Sequence, residues 1–349
     1  MIGARPNLMK AAPVFRALAK QPRAQQNLVH TGQHYDANMS GAFFPQLGIP
    51  EPDVNLGVGS GSHARQTAEI MTRFEPVVRQ RKPDLVLVYG DVNSTLAASL
   101  VCAKLLIPVG HVEAGLRSFD RAMPEEINRL LTDQIADLLF TPSEDGDANL
   151  LHEGILPAKI YRVGNVMIDS LVDMLPKAIM WKLGSLPERY ALITLHRPSN
   201  VDDLKVLKSI LEALLEINTQ LNVLFPVHPR TRQRIAEWGL TTGKLHLLEP
   251  IPYLEFLALQ RRATVIITDS GGVQEESTYL GVPCLTLREN TERPITVSLG
   301  TNTLVGQDKK KLSAELSNIV AGKLKKGFVP PLWDGHAGER IADFLCRFF

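Results

Sequence analysis

The chain has 349 residues, 44% of them apolar and 21% charged, and its 38 basic residues against 37 acidic ones leave a net charge of +1. That length suggests two domains at about 150 residues each, with apolar content enough for a core in both. Near-neutral charge gives no footing for a nucleic-acid or anionic-membrane partner, and no apolar run reaches the ~18 residues of a membrane span. Cys102, Cys284 and Cys346 are scattered, odd in number and without zinc-like spacing. A disulfide framework is thereby excluded, and a reduced, cytoplasmic setting is expected. Met1 runs straight into a polar motif with no signal-peptide apolar core.

In chain order, "MIGARP" leaves two residues for a first strand. First strands are usually central in parallel sheets, so the natural start is expected upstream of Met1. "GARPNLMK" sets Arg5 and Lys10 where this strand turns into a helix. Both suit a diphosphate, Arg5 through its planar fork and Lys10 as a point charge, although a solvated basic helix start accounts for them equally well. "TGQHYD" puts Gly32, Gln33 and His34 at a further strand end. "GVGSGS" (57–62) lacks the G-x-G-x-x-G spacing and reads as a loop, not a cofactor fingerprint. "ARQTAEIMTRFEPVVRQR" is an amphipathic helix. "DLVLVYGD" (84–91) and "IPVGHVEAG" read as buried strands, the first ending in Asp91 and the second in His111 with Glu113. Between them, Leu96–Leu106 is an apolar helix suited to a core or to a dimer face.

The next stretch, "HVEAGLRSFDRAMPEEINR", packs four carboxylates and three arginines into nineteen residues. On the helix "PEEINRLLTDQIADLL", Glu125 and Arg129 are four apart and share a face, while Glu126 points about 100° away. Asp91, Glu113 and Glu125 are thus expected to converge, with Arg129 and Arg117 steering orientation. An acid-rich helix start stabilises the dipole by a few tenths of a kcal/mol, which covers Glu125 and Glu126. It does not cover Asp91 and Glu113 at neighbouring strand ends.

The pattern restarts at "YALITLH" (190–196) after the linker-like "MLPKAIMWKLGSLPERY". This gives domains over 1–168 and 169–332, with 333–349 as a C-terminal helix packing back on the first. "KIYRVGN", "NVLFPVH" (222–228), "LHLLEP", "TVIITDS" (264–270) and "PCLTLRE" read as further strands, and "VDDLKVLKSILEALLEINTQ" as a helix. His196 and His228 each end an apolar strand beside Arg-Pro or Pro-Arg, which favours a site. His30, His63, His152, His246 and His336 lack that context and read as structural or surface residues. In "TVIITDSGGVQEES", Ser270-Gly271-Gly272 turns tightly into a helix whose N–H groups suit a phosphate. Glu276, a turn further on, suits a ribose diol, and an ordinary capped turn is the alternative. "LRENTERP" adds Arg293. Strand–helix alternation means α/β with parallel sheets, here two Rossmann-like, doubly wound domains with the active site expected in the cleft between them.

These stretches, together with "YGDVNSTLAA", "TLHRPSN" and "FPVHPRT", resemble the non-hydrolysing UDP-N-acetylglucosamine 2-epimerases, in the expected order and over nearly the whole chain. The resemblance implies a glycosyltransferase-B-like architecture and a homodimer. It also implies C2 epimerisation of UDP-N-acetylglucosamine to UDP-N-acetylmannosamine without a cofactor, through elimination of UDP to a 2-acetamidoglucal and re-addition. By position it makes Asp91, Glu113, Glu125, Arg129 and His196 catalytic. Arg5, Lys10, Phe256, Ser270, Gly271, Gly272, Glu276 and Arg293 become UDP contacts, and Gln33, Arg65, Gln66 and His228 resemble an activator site for a second substrate molecule. The first motif departs from the family, reading Arg5-Pro6-Asn7 where many members have Arg-Pro-Glu. Relatives acting on 2,3-diacetamido sugars share much of the pattern, so that substrate stays open. Rival readings are a glycosyltransferase on the same scaffold, an NAD-dependent epimerase, whose glycine fingerprint is missing, and a UDP-sugar sensor.

Overall fold

The computed structural model describes residues 1–33, 43–181, 184 and 186–349, except for the side chains of Arg5 and Phe43. His34 lies outside the described residues. The chain divides into two compact units, Met1–Ser170 with Pro331–Phe349, and Leu171–Pro330. The strands of both are paired in parallel. Among the described residues no helix is long and apolar enough to cross a membrane.

The first unit carries β1 (Val29–His30), β2 (Val54–Asn55), β3 (Val86–Tyr89), β4 (Val109–Val112), β5 (Leu138–Thr141) and β6 (Ile160–Arg162). One ladder runs β3-β4-β5-β6 and another β1-β2. The first residues join them: Ile2 bridges His30 in parallel, and the Met1 ammonium donates to the Leu87 carbonyl at 2.9 Å. Counting Ile2 as strand one, the unit reads 3-2-1-4-5-6-7, a doubly wound order.

The helix expected across "PEEINRLLTDQIADLL" stops at Ile135, and the four buried residues Leu138–Thr141 form β5 instead. Ala136 is extended. Asp137 then pins the chain to β4, taking the Val109 amide on its carboxylate and giving its own amide to the Val109 carbonyl, both at 2.9 Å. The helix Asn93–Lys104 buries Leu96, Ala97, Ala98, Val101 and Cys102 inside the unit, packed between the helices His63–Arg81 and Pro124–Ile135. Its apolar surface is core, so it does not argue for a dimer face.

The second unit holds β7 (Tyr190–Thr194), β8 (Asn222–Pro226), β9 (His246–Leu248), β10 (Val265–Thr268), β11 (Cys284–Thr286) and β12 (Asn302–Leu304), ordered β12-β11-β10-β7-β8-β9. Numbered within the unit this is 6-5-4-1-2-3, the dinucleotide-fold order. The helix Leu204–Ile217 lays Leu207, Ile210, Leu211 and Leu214 on the sheet, while Leu204, expected among them, is exposed. Asp203 caps that helix, accepting from the Lys205 and Val206 amides at 2.8 and 3.1 Å. Each leucine so buried contributes about 1.5–3 kcal/mol.

The helix Ala337–Phe348 belongs to the first unit and packs on the helix Arg5–Ala19. The Asp169 carboxylate accepts its first amides, Ala337 at 3.1 Å and Gly338 at 2.7 Å. A Cβ on Gly338 would meet the Pro13 backbone at 2.7 Å, so only glycine permits this approach.

Candidate active site

Open parallel sheets bind ligands at the carboxyl ends of their strands, chiefly where strand order reverses. In the first unit the reversal falls between Ile2 and β3. The turn after Ile2 holds Gly3, Ala4 and Arg5, and Asn7 fastens it. Its side-chain oxygen accepts from the Gly3 and Ala4 amides (3.3 and 3.0 Å), and its nitrogen donates to the Tyr89 carbonyl at 2.7 Å. A glutamate, usual here in the resemblance, could not make that last bond.

Glu113 follows β4 at φ +72°, a left-handed conformation costing roughly 1–2 kcal/mol for a residue with a side chain. Its carboxylate is buried and ion-paired with the equally buried Lys10 ammonium. Lys10 therefore serves a carboxylate, where the sequence left it between a diphosphate contact and a solvated helix start. Gly90, at φ +63°, makes room for it, since a Cβ there would stand 2.5 Å from the Lys10 Nζ. Next along, Asp91 pairs with Arg129, and the Asn128 side chain holds the Asp91 carbonyl at 2.8 Å.

On its own helix Arg129 reaches Glu126, the neighbour of Glu125. Its Nε and Nη2 donate to the buried Glu126 at 3.0 and 2.6 Å. Glu126 also accepts from the Ser118 amide and hydroxyl, each at 3.0 Å, and from the Phe119 amide at 2.9 Å. The loop before the helix folds back over Glu126, a long-range contact that helical spacing does not disclose. Burial pushes the Glu126 carboxyl up, but the Ser118 amide and Arg129 outweigh it and hold it below the usual carboxylate range. Glu125 is exposed in the first helical turn.

Arg117, expected to steer a ligand, is wholly buried between Asp133 and Glu153, each at 2.7 Å. His111 is buried too, its Nδ1 2.6 Å from Asp133 and its Nε2 donating to the Gly90 carbonyl at 2.8 Å. Asp133 is pushed up by burial and pulled lower still by His111 and Arg117. Much of the charge in "HVEAGLRSFDRAMPEEINR" is thus a buried network that braces the Gly90–Asp91 turn.

In the second unit the reversal lies between β7 and β10, where His196 and Asp269 emerge. His196 Nδ1 stands 2.8 Å from the Asp269 carboxylate, and the His228 ring lies 6.0 Å from the His196 ring. Ser270 is the N-cap of the helix Gly271–Leu280 and makes no side-chain cap bond. Arg293 lies across this helix start: a Cβ on Gly271 would stand 2.5 Å from its Nη1. A guanidinium beside first-turn amides at a helix N-terminus suits an anion. Glu292 gathers the cations, accepting from Arg288 twice at 2.8 Å and lying 3.4 Å from both Arg197 and Arg293. Arg293 Nε also pairs with Glu275 at 2.8 Å. Burial together with the neighbouring Arg288 and Arg293 lowers the Arg197 guanidinium, against the opposing pull of Glu292 and Asp269.

Glu276 is buried on the same helix and accepts from Tyr253 Oη at 2.8 Å and Gln260 Nε2 at 2.6 Å. Burial raises its carboxyl, and the two donors only partly offset that. Phe256, half-buried, sits one turn after Tyr253 on the helix Tyr253–Arg262.

A family model described as UDP-N-acetylglucosamine 2-epimerase matches residues 16–346. The chain belongs to that family. The UDP-N-acetylglucosamine 2-epimerase of Methanocaldococcus jannaschii is 45% identical over 359 residues, covering 99% of this chain and 97% of the relative. A crystal structure of the Methanocaldococcus jannaschii enzyme in complex with UDP-GlcNAc and UDP matches with a TM-score of 0.92, over 99% of this chain and 98% of that one. The UDP-2,3-diacetamido-2,3-dideoxy-D-glucuronate 2-epimerase of Pseudomonas aeruginosa is 44% identical, over 99% of this chain and 98% of its own. The fold is glycosyltransferase-B-like: the glycotransferase of kitacinnamycin shares it at 13% identity and a TM-score of 0.59.

Against the epimerase family's expected site, the first unit gathers Lys10, Asp91, Glu113 and Arg129, and the second gathers His196, Ser270, Gly271, Gly272 and Arg293. Arg5 opens its helix, with its side chain outside the described ones. Of the expected activator site, Gln33 accepts from the Ser94 hydroxyl at 2.7 Å, and Gln66 donates to the Gly59 carbonyl at 2.9 Å. Both are buried, so a ligand would have to displace these bonds. Arg65 is exposed and paired with Glu69 at 2.8 Å, and His228 belongs to the second unit, where it caps the helix Pro229–Glu237. Sequence reading missed Glu126, Tyr253 and Glu292 as site builders. The signal for Tyr253 was present, three residues before Phe256 on one helix face.

Proposed function

We propose that this chain epimerises UDP-N-acetylglucosamine at C2 by eliminating UDP and adding it back. The observation that carries the reading is Glu113, a buried carboxylate in left-handed backbone, paired with Lys10 and one strand from Asp91. The C2 hydrogen of such a sugar is not α to a carbonyl, so a base alone removes it too slowly. Breaking the C1–O bond solves this: the C2–H electrons form a C1–C2 double bond while the C1–O pair leaves with UDP. Protonation of the 2-acetamidoglucal from the opposite face, with re-formation of C1–O, gives the epimer. Two faces call for two acid–base groups, drawn from Asp91, Glu113 and Glu125, with Arg129 orienting Asp91. Each such group contributes about 10²–10⁴ in rate. His196, Arg293 and the amides after Ser270 meet the charge of the leaving diphosphate, Phe256 packs the uracil and Glu276 takes the ribose diol.

Incubation with UDP-N-acetylglucosamine in D₂O, followed by proton NMR, is expected to put deuterium on C2 of the product. Full retention of the original hydrogen would exclude elimination. A second reading, epimerisation of a UDP-2,3-diacetamido sugar, is favoured by the Pseudomonas aeruginosa relative, and a higher kcat/KM on that sugar would select it. The proposal includes a cytoplasmic homodimer, a family expectation that sedimentation velocity checks.

Arg293→Ala should weaken UDP binding by about 1.5–3 kcal/mol, as for a charged hydrogen bond. Calorimetry showing unchanged affinity removes Arg293 from the site. Glu276→Gln should act in two directions. A carboxyl raised by burial favours the folded state below its unfolded value and loses that benefit as pH rises through its folded value. Near pH 8 the neutral amide should therefore raise the unfolding midpoint of the ligand-free protein while UDP affinity falls. A lowered midpoint with intact affinity contradicts both halves.

A further inference from the structure

We infer that Asp269 is a positioning residue for His196, fixing which ring nitrogen is turned to the substrate. This rests on the reading of His196 as a substrate-handling group. Asp269 is fully buried at the end of β10, where strand order reverses. Besides His196 Nδ1 at 2.8 Å, its carboxylate accepts from the His196 amide at 3.0 Å, the Arg197 amide at 2.9 Å and the Asn200 side-chain nitrogen at 3.2 Å. A carboxylate only accepts, so Nδ1 carries the hydrogen and Nε2 is the nitrogen left for chemistry.

The bonds from its own amide and the next one fix the His196 backbone to the group that orients its ring. The two strand ends are also tied, Thr194 Oγ1 lying 2.6 Å from Thr268 Oγ1. Asn200 uses the same nitrogen on the Leu287 carbonyl at 2.9 Å, which anchors the short helix Pro198–Val201 to the next strand end. Burial pushes the Asp269 carboxyl up, but His196 and the two amides bring it below the usual range, so it is ionised at neutral pH. The His196 side chain is 44% exposed, against none for Asp269. One residue is offered to a ligand and the other is wholly committed to holding it.

A purely structural Asp269 would hold the 196–200 turn and leave the imidazole's hydrogen to chance. Asp269→Asn separates the two roles. The amide oxygen still accepts from the backbone, but the new N–H faces Nδ1, which must then accept and send its hydrogen to Nε2. Long-range ¹H–¹⁵N NMR on histidine-labelled protein reads the tautomer, with His196→Gln assigning the signal. The wild type is expected to show Nδ1–H and Asp269→Asn to show Nε2–H. Turnover of UDP-N-acetylglucosamine should fall about 10²-fold or more in Asp269→Asn, with UDP affinity within about threefold. In a His196→Gln background the same change should cost less than about threefold further. An Nε2–H wild type, or losses that multiply in the double variant, overturns the inference. A wild type that leaves UDP-N-acetylglucosamine unchanged removes the functional reading instead, and the tautomer of the unmutated protein still decides the role of Asp269.

Discussion

Glu113→Gln is expected to lower turnover of UDP-N-acetylglucosamine about 10²–10⁴-fold while UDP affinity stays within a few-fold. Glutamine keeps the size and an acceptor oxygen but cannot take or return a proton. The backbone at φ +72° is set by the turn after β4 and is indifferent to the side-chain charge. What changes is Lys10, which loses a buried partner. Breaking one side of such a pair typically destabilises by about 3–5 kcal/mol, so lost turnover alone is ambiguous. Lys10→Met in the same chain removes the stranded charge and should recover most of the stability without recovering turnover. Activity within tenfold of wild type in folded Glu113→Gln would take Glu113 out of the chemistry.

Glu126→Gln should behave in the opposite manner, with a stability loss of about 2–3 kcal/mol and only a secondary effect on turnover. The carboxylate accepts from Ser118, Phe119 and Arg129, and an amide satisfies fewer of these donors. Because its folded value is depressed, Glu126 stabilises above its unfolded value near 4.3, and that benefit is lost as pH falls through the folded value. Urea midpoints of wild type and variant should therefore differ at pH 7 and converge only as the pH falls below the depressed folded value. Exposed Glu125→Gln should leave the midpoint alone and depress turnover. Equal midpoints for all three proteins would mean that the Glu126 carboxylate adds nothing to stability.

The contrast between these neighbours shows where sequence reading succeeds. Strands such as Val86–Tyr89 and Val265–Thr268 are short apolar runs, largely buried, and polar residues follow them, so the parallel sheets and the placing of Asp91, Glu113, His196 and Ser270 at strand ends were legible. Family motifs then supplied roles that spacing alone does not. Partner choice was not legible. Helical periodicity gives Arg129 a neighbour at four residues, yet the loop Ser118–Phe119 selects the one at three. Leu138 and Leu139 were read as the end of a helix because nothing local marks Asp137 as a clip onto β4. Short strands such as Val29–His30 and Asn302–Leu304 offer too few residues for any period to register.

The return of the helix Ala337–Phe348 to the first unit sets an order of assembly. Leu171–Pro330 is one unbroken stretch of chain, complete before residues 331–349 are made. The half bearing Asp91 and Glu113 is not: the acceptors on Asp169 and the groove beside Pro13 wait for Ala337 and Gly338, which are made after the other half is complete. During synthesis Asp91 and Glu113 thus belong to the later-finished body. A lesion near the C-terminus would unsettle residues more than two hundred positions upstream before it touched His196 or Arg293.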